Sequence, residues 1–113
     1  MLFRSGITKG VTALGAMMML AATRNGAAQG LRGEFDRSQG ALLPWFQRSI
    51  PAMYSKAYRF VGEMDEIADF VGDDPSARKM YEAISAFYTR FAADFEGKQE
   101  ETKALTAILK RKE

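Results

Sequence analysis

Residues 52–97 read AMYSKAYRFVGEMDEIADFVGDDPSARKMYEAISAFYTRFAADFEG, and this stretch decides the fold. Met53, Ala57, Phe60, Val61, Met64, Ile67, Ala68 and Val71 recur at three- and four-residue spacing, which gathers them on one face of an α-helix and leaves charge on the other. Gly72-Asp73-Asp74-Pro75 reads as a stop followed by a start. Gly72 supplies the conformation that closes one helix, Asp74 the capping oxygen of the next, and Pro75 its first position, where a missing N–H costs nothing. Met80, Tyr81, Ile84, Phe87, Tyr88, Phe91, Ala92 and Phe95 then form the strongest helical stripe in the chain, and Gly97 ends it.

Working outward, Pro51 sets the start of the first of these helices, with Ser49 as its N-cap. A further helix begins at Gly40-Ala-Leu-Leu-Pro44-Trp45-Phe46, where Pro44 is tolerable only in the first turn. The string AAQGLRGEFDRSQG after Gly26 is a short helix weakened by Gly30 and Gly33. On the far side, residues 98–113 carry Leu105, Ile108 and Leu109 among mixed charges, a weakly amphipathic tail expected to fray or to dock on a partner. Alternating β-branched runs and Asn-Gly turns are missing, and there is no internal repeat. The fold class is therefore all-α, with four to six helices.

The beginning of the chain admits two readings. Arg4, Lys9 and Arg24 precede the first carboxylate, Glu34, and Val11–Ala22 reads VTALGAMMMLAA, followed by small residues. That is the outline of a secretory signal peptide cleaved near Ala27 or Ala28, and the run is too short for a membrane span. It is also the outline of a helix buried nearly all round, with Gly6, Gly10, Gly15 and Ala16 permitting close approach and Met17, Met18 and Met19 reporting burial in every direction.

Composition excludes several chemistries. At 113 residues the chain holds one small domain, and 47% hydrophobic residues suffice for a core. The absence of Cys and His removes thiolate and Ser-His-Asp nucleophiles and the usual zinc ligands, so any chemistry rests on Lys, Asp, Glu or Tyr. A net charge of +2, clustered only at Lys110, Arg111 and Lys112, does not point to nucleic acid. Glu63, Asp65, Glu66 and Asp69 read as a solvated face rather than a metal site. Gly6, Gly10 and Gly15 follow no strand and form no dinucleotide fingerprint. Tyr54, Lys56, Tyr58 and Arg59 mix rings with cations, suited to an anion or nucleotide but more simply the rim of a core. Lys9 stands out, because an ammonium within an apolar, glycine-rich helix needs a partner or a route to solvent.

Two stretches together, GITKGVTALGAMMMLAATRNGAA at 6–28 and RSIPAMYSKAYRFVGEMDEIADFVGDDPSARKMYEAISAFY at 48–88, resemble the C-terminal helical domain of NAD(P)-dependent oxidoreductases in the 6-phosphogluconate and β-hydroxyacid dehydrogenase superfamily, a domain often labelled as of unknown function. The PAMYSKAYRFVGEM segment is the most specific part. The resemblance implies a helical bundle with a long first helix over residues 1–97, truncated at its N-terminus, and leaves 98–113 as a charged helical tail. It implies substrate binding and dimerisation for a hydroxyacid-type dehydrogenase whose N-terminal Rossmann domain, holding NAD or NADP, is missing from this chain. No tight cofactor binding, nucleic acid or membrane is then expected of the chain alone, nor autonomous activity, and the location is cytoplasmic. In that family a catalytic lysine precedes a Gly-Ile pair on the first long helix. Aligned on Gly6-Ile7, its position falls at Met1, while Arg4 and Ser5 fall where relatives carry a His-Asn pair that contacts substrate, and Thr8 and Lys9 where they carry a Glu-Tyr pair, none of the four matching. These four are the substrate-binding candidates, and Lys56 and Arg59 the candidates for the cofactor cleft. A buried family helix also accounts for 6–28. The alternatives are a stand-alone helical interaction module and a small exported helical protein.

Overall fold

The computed structural model describes residues 2–111, so the position at Met1 and the last cation of the basic cluster, Lys112, lie outside the described residues. Six α-helices follow in order: α1 (Leu2–Arg24), α2 (Ala28–Ser38), α3 (Leu42–Met53), α4 (Ala57–Phe70), α5 (Pro75–Glu96) and α6 (Glu100–Ile108), with a 3-10 turn at Tyr54–Lys56. Among the described residues there is no strand, and the fold is an all-α bundle.

The two stripes of residues 57–96 face each other. α4 and α5 form an antiparallel hairpin in which Phe60 meets Tyr88 edge to face at 5.3 Å and Ser85 donates to the Val61 carbonyl. The turn between them is capped by Asp74, whose carboxylate accepts from the Ser76 and Ala77 N–H groups, with Pro75 opening α5. Gly72 does not take the left-handed conformation expected of it. Positive φ occurs instead at Gly26 and Gln99. What Gly72 provides is space: a Cβ there would stand 2.8 Å from Arg78 Nη1 and 3.1 Å from the Asp69 carbonyl, where Arg78 reaches back to pair with Asp69.

Pro51 does not start a helix, and Ser49 caps nothing. α3 runs through both to Met53, because Leu43, Phe46, Ile50 and Met53 form one buried stripe that spans the proline. Burial of Ile50 and Met53, each at about 1.5–3 kcal/mol, offsets the ~3 kcal/mol cost of an interior proline. The chain then tightens into the 3-10 turn, and α4 begins at Ala57 rather than Ala52.

α1 crosses the hairpin. By length and composition Phe3–Arg24 would suffice to cross a membrane, yet its inner face, Ala13, Ala16, Met19 and Leu20, belongs to the common core with Ile50, Met64, Tyr88, Phe91 and Leu105. The helix is not buried all round. Successive side chains point about 100° apart, so Met19 faces the core, Met17 is half-buried and Met18 is 65% exposed. Phe3, Ile7 and Leu14 are exposed along with it.

The tail helix does not fray. α6 places Leu105 and Ile108 in the core, with Leu109 just beyond its end. Asp94 on α5 supplies its cap from outside, accepting from the N–H groups of Glu101 and Thr102 and from the Thr102 hydroxyl. Arg32 of α2 closes the other end by donating to the carbonyls of Ile108 and Lys110.

Candidate functional site

Lys9 lies one helical turn beyond Ser5 on α1, on the side that faces α4. Its ammonium donates to Glu63 Oε1 at 2.8 Å and to Ser5 Oγ at 2.9 Å, and sits 4.7 Å from the centroid of the Phe60 ring. Three attractions therefore hold one cation: an ion pair, a hydroxyl and the negative face of an aromatic ring. Ser5 in turn donates to the same Glu63 oxygen at 3.4 Å. The Lys9 side chain is 22% exposed and that of Glu63 39%, so the pair is neither solvated away nor fully desolvated.

The backbone beneath Lys9 is fixed as well. Tyr88, fully buried, donates its hydroxyl to the Lys9 carbonyl at 2.5 Å. Burial pushes the Tyr88 phenol well above its ordinary value, and the negative charge of Glu63 adds to the rise, so the group remains a donor. On the next turn Thr12 donates to the Thr8 carbonyl.

An open-sided cavity of about 190 Å³ lies beside this cation. Thr8, Lys9 and Thr12 of α1 form one wall, Trp45, Ser49, Ala52 and Met53 of α3 another, and Lys56 of the 3-10 turn and Phe60 of α4 complete it. No Asp or Glu is among these residues. Ser49 Oγ is buried and finds no hydrogen-bond partner among the described residues. Being inside α3 rather than at a helix start, it has no free N–H of its own turn to accept from.

Of the residues singled out in the sequence, the fold brings Ser5, Thr8, Lys9 and Lys56 to this region and leaves two outside it. Arg4 is exposed, engaged through its carbonyl by the Thr8 hydroxyl, and Arg59 is exposed on α4 and is not among the residues around the cavity. Tyr54 is structural: it stacks on Phe91 at 5.5 Å and hydrogen-bonds with Thr106. Sequence reasoning missed Glu63, Trp45, Ser49 and Phe60. Glu63 read as one acid of a solvated face, and no local pattern ties it to a lysine 54 positions earlier. The need of Lys9 for a partner was the only signal available.

The glycines of α1 are sites of close helix packing. Each has a neighbour's side chain against it: Tyr81 at Gly6, Ile84 at Gly10, Phe46 at Gly15. With helices alone among the described residues, nothing corresponds to the strand, glycine-rich turn and helix that bind a dinucleotide.

A family model described as "Domain of unknown function (DUF1932)" matches residues 22–91, from the last turn of α1 through most of α5. No curated protein and no solved structure matches the chain.

Proposed function

The chain belongs to the DUF1932 family, and from that premise we propose that it is the helical substrate-binding and dimerisation domain of an NAD(P)-dependent, hydroxyacid-type dehydrogenase. The observation that carries the reading is the two-sided character of α1. One side presents Thr8, Lys9 and Thr12 toward a cavity, with Ser5 hydrogen-bonded to Lys9 one turn away, while Phe3, Ile7, Leu14 and Met18 stand exposed on an apolar side. Contiguous exposed apolar surface on a small domain calls for a covering partner. In the proposed enzyme the polar side lines the cleft shared with a cofactor domain, and the apolar side packs against a second subunit.

The cofactor belongs to the partner domain in this reading, since the described residues form no strand, glycine-rich turn and helix of the kind that holds a dinucleotide. Lys9, with Ser5 and Thr8, orients substrate, and Lys56 lies at the same opening. Loss of α1 as a cleaved leader would strip Ala13, Ala16, Met19 and Leu20 from the core, which supports the reading of α1 as part of the folded domain.

The intact mass of the native product in its source cells tests this, detected through the peptide AYRFVGEMDEIADFVGDDPSAR. A mass above 12.6 kDa by a domain of about 150 residues is expected. A product of 12.6 kDa would overturn the dehydrogenase reading in favour of a stand-alone interaction module.

A further inference from the structure

The C-terminal end of α6 carries cations that the fold leaves unused. Lys103, Lys110 and Arg111 are exposed, and their side chains make no ion pair or hydrogen bond among the described residues. A helix C-terminus ordinarily draws such groups onto itself, because its last carbonyls lack partners and form the negative pole of the helix dipole. Here other elements satisfy those carbonyls. Arg32 of α2 donates to the Ile108 and Lys110 carbonyls at 2.8 and 2.6 Å, and Gln47 of α3 donates to that of Leu109 at 3.0 Å. The Arg32 guanidinium offsets the negative pole, so the cations of α6 and its end remain available to a group outside the chain. They border an open-sided cavity of about 760 Å³ between α3, the 3-10 turn and α6, and no Asp or Glu is among the residues around it. Gln47 and Gln99 line the same space. Each uses one amide N–H on a carbonyl, that of Leu109 and that of Phe95, and keeps a second.

We propose that this cavity binds a small polyphosphate-bearing molecule, with Lys103, Lys110 and Arg111 holding the phosphate chain and the Gln47 and Gln99 amides donating to its oxygens. Charge decides the class. Like charges around one space repel each other, and a monoanion cancels only one of them, whereas a phosphate chain brings several negative charges into the width of a single cavity. Arg111 adds a planar fork that meets two phosphate oxygens at once. Size agrees, since the cavity falls within the ~300–1,000 Å³ of small-molecule sites and a single inorganic phosphate would leave most of it empty. The site is separate from the cavity beside Lys9 and is built largely on α6, beyond the residues 22–91 that define the family. It therefore stands whether or not the chain is part of a dehydrogenase, and the titration below and the mass measurement above fail separately.

The full chain is titrated by calorimetry with tripolyphosphate, with inorganic phosphate and with a short oligothymidylate at matched ionic strength, and the ligand is located from the side-chain amide signals of Gln47 and Gln99 in proton–nitrogen correlation spectra. The expected result is saturable binding of tripolyphosphate, about tenfold tighter than phosphate, with shifts at both glutamines. Lys103→Met and Arg111→Met are each expected to weaken it about threefold, the scale of one exposed ion pair. Lys98→Met removes the same charge from an exposed position outside the cavity and is expected to change nothing. All three side chains are exposed, so the variants keep the fold. Equal weakening by Lys98→Met reduces the effect to net charge, and shifts centred on Lys9 and Lys56 move the ligand to the other cavity. An oligothymidylate that binds more tightly than tripolyphosphate makes the face a nucleic-acid surface. Each of these outcomes overturns the assignment, as does the lack of saturable binding.

Discussion

Gly15 of α1 and the ring of Phe46 on α3 occupy the same contact: a Cβ built on Gly15 would stand 2.4 Å from Phe46 Cε1 and 2.5 Å from Cζ. The ring cannot retreat, because Trp45 and Phe35 meet its own faces and edges at 5.5 and 6.0 Å between centroids. Gly15→Ala therefore trades a helix-propensity gain of about 1 kcal/mol against overpacking of typically 1–3 kcal/mol or more. The expected outcome is net destabilisation, read as a lower urea midpoint. Gly30→Ala, where a Cβ meets nothing within 4 Å, is the control and is expected to stabilise.

Tyr88 links the core to the backbone under Lys9. Tyr88→Phe removes a buried hydrogen bond and is expected to cost about 1 kcal/mol at neutral pH. Because burial raises the phenol's pKa in the folded state above the ordinary 10.0, the unfolded chain releases that proton first. Stability is fully present below pH 10.0 and declines as pH rises past it. Tyr54, raised by burial against the opposing Thr106 hydrogen bond, adds to the same decline. Denaturant melts between pH 8 and 11 should show a shallower fall in Tyr88→Phe than in the parent chain; identical slopes would remove Tyr88 from the account.

Asp94 is the outside cap of α6. Partial burial disfavours its charge, but the Thr102 and Glu101 N–H groups and the Thr102 hydroxyl outweigh that and hold its pKa below the ordinary 3.8. The stability it contributes is present above pH 3.8 and is lost as pH falls through the lower folded value. Asp94→Ala is expected to cost about 1–2 kcal/mol at pH 7, the range for a lost helix cap, and to flatten the acid limb of the stability profile. Faster amide exchange confined to α6 would accompany it.

The exposed apolar side of α1 is the proposed subunit contact. Ile7→Glu combined with Met18→Lys replaces side chains that are 64% and 65% exposed, leaving the core untouched. Each loses about 1.5–3 kcal/mol of potential apolar burial. Sedimentation velocity is expected to show a dimer in the parent chain and a monomer in the double variant, with melting temperatures alike. A parent chain that sediments as a monomer at tens of micromolar removes this face as a self-contact.

Residue type and spacing by themselves determined the helical class, the α4–α5 hairpin with its Asp74-Pro75 junction, the packing role of the α1 glycines and the exclusion of His- and Cys-based chemistry. All of these follow from periodicity, capping and composition, which act over a few residues. They also marked Lys9 as a charge in need of a partner. Only the tertiary structure decided that the partner is Glu63, that Pro51 lies inside a helix, that Gly72 serves space rather than turn conformation, and that Lys56 shares a cavity with Lys9 while Arg59 does not. In each case the deciding force is contact between segments distant in sequence: a buried stripe holding α3 through its proline, or α1 laid across α4 so that two isolated charges meet. Such contacts leave no local pattern that names the partner, because Glu63 by itself is at home on an ordinary solvated helix face.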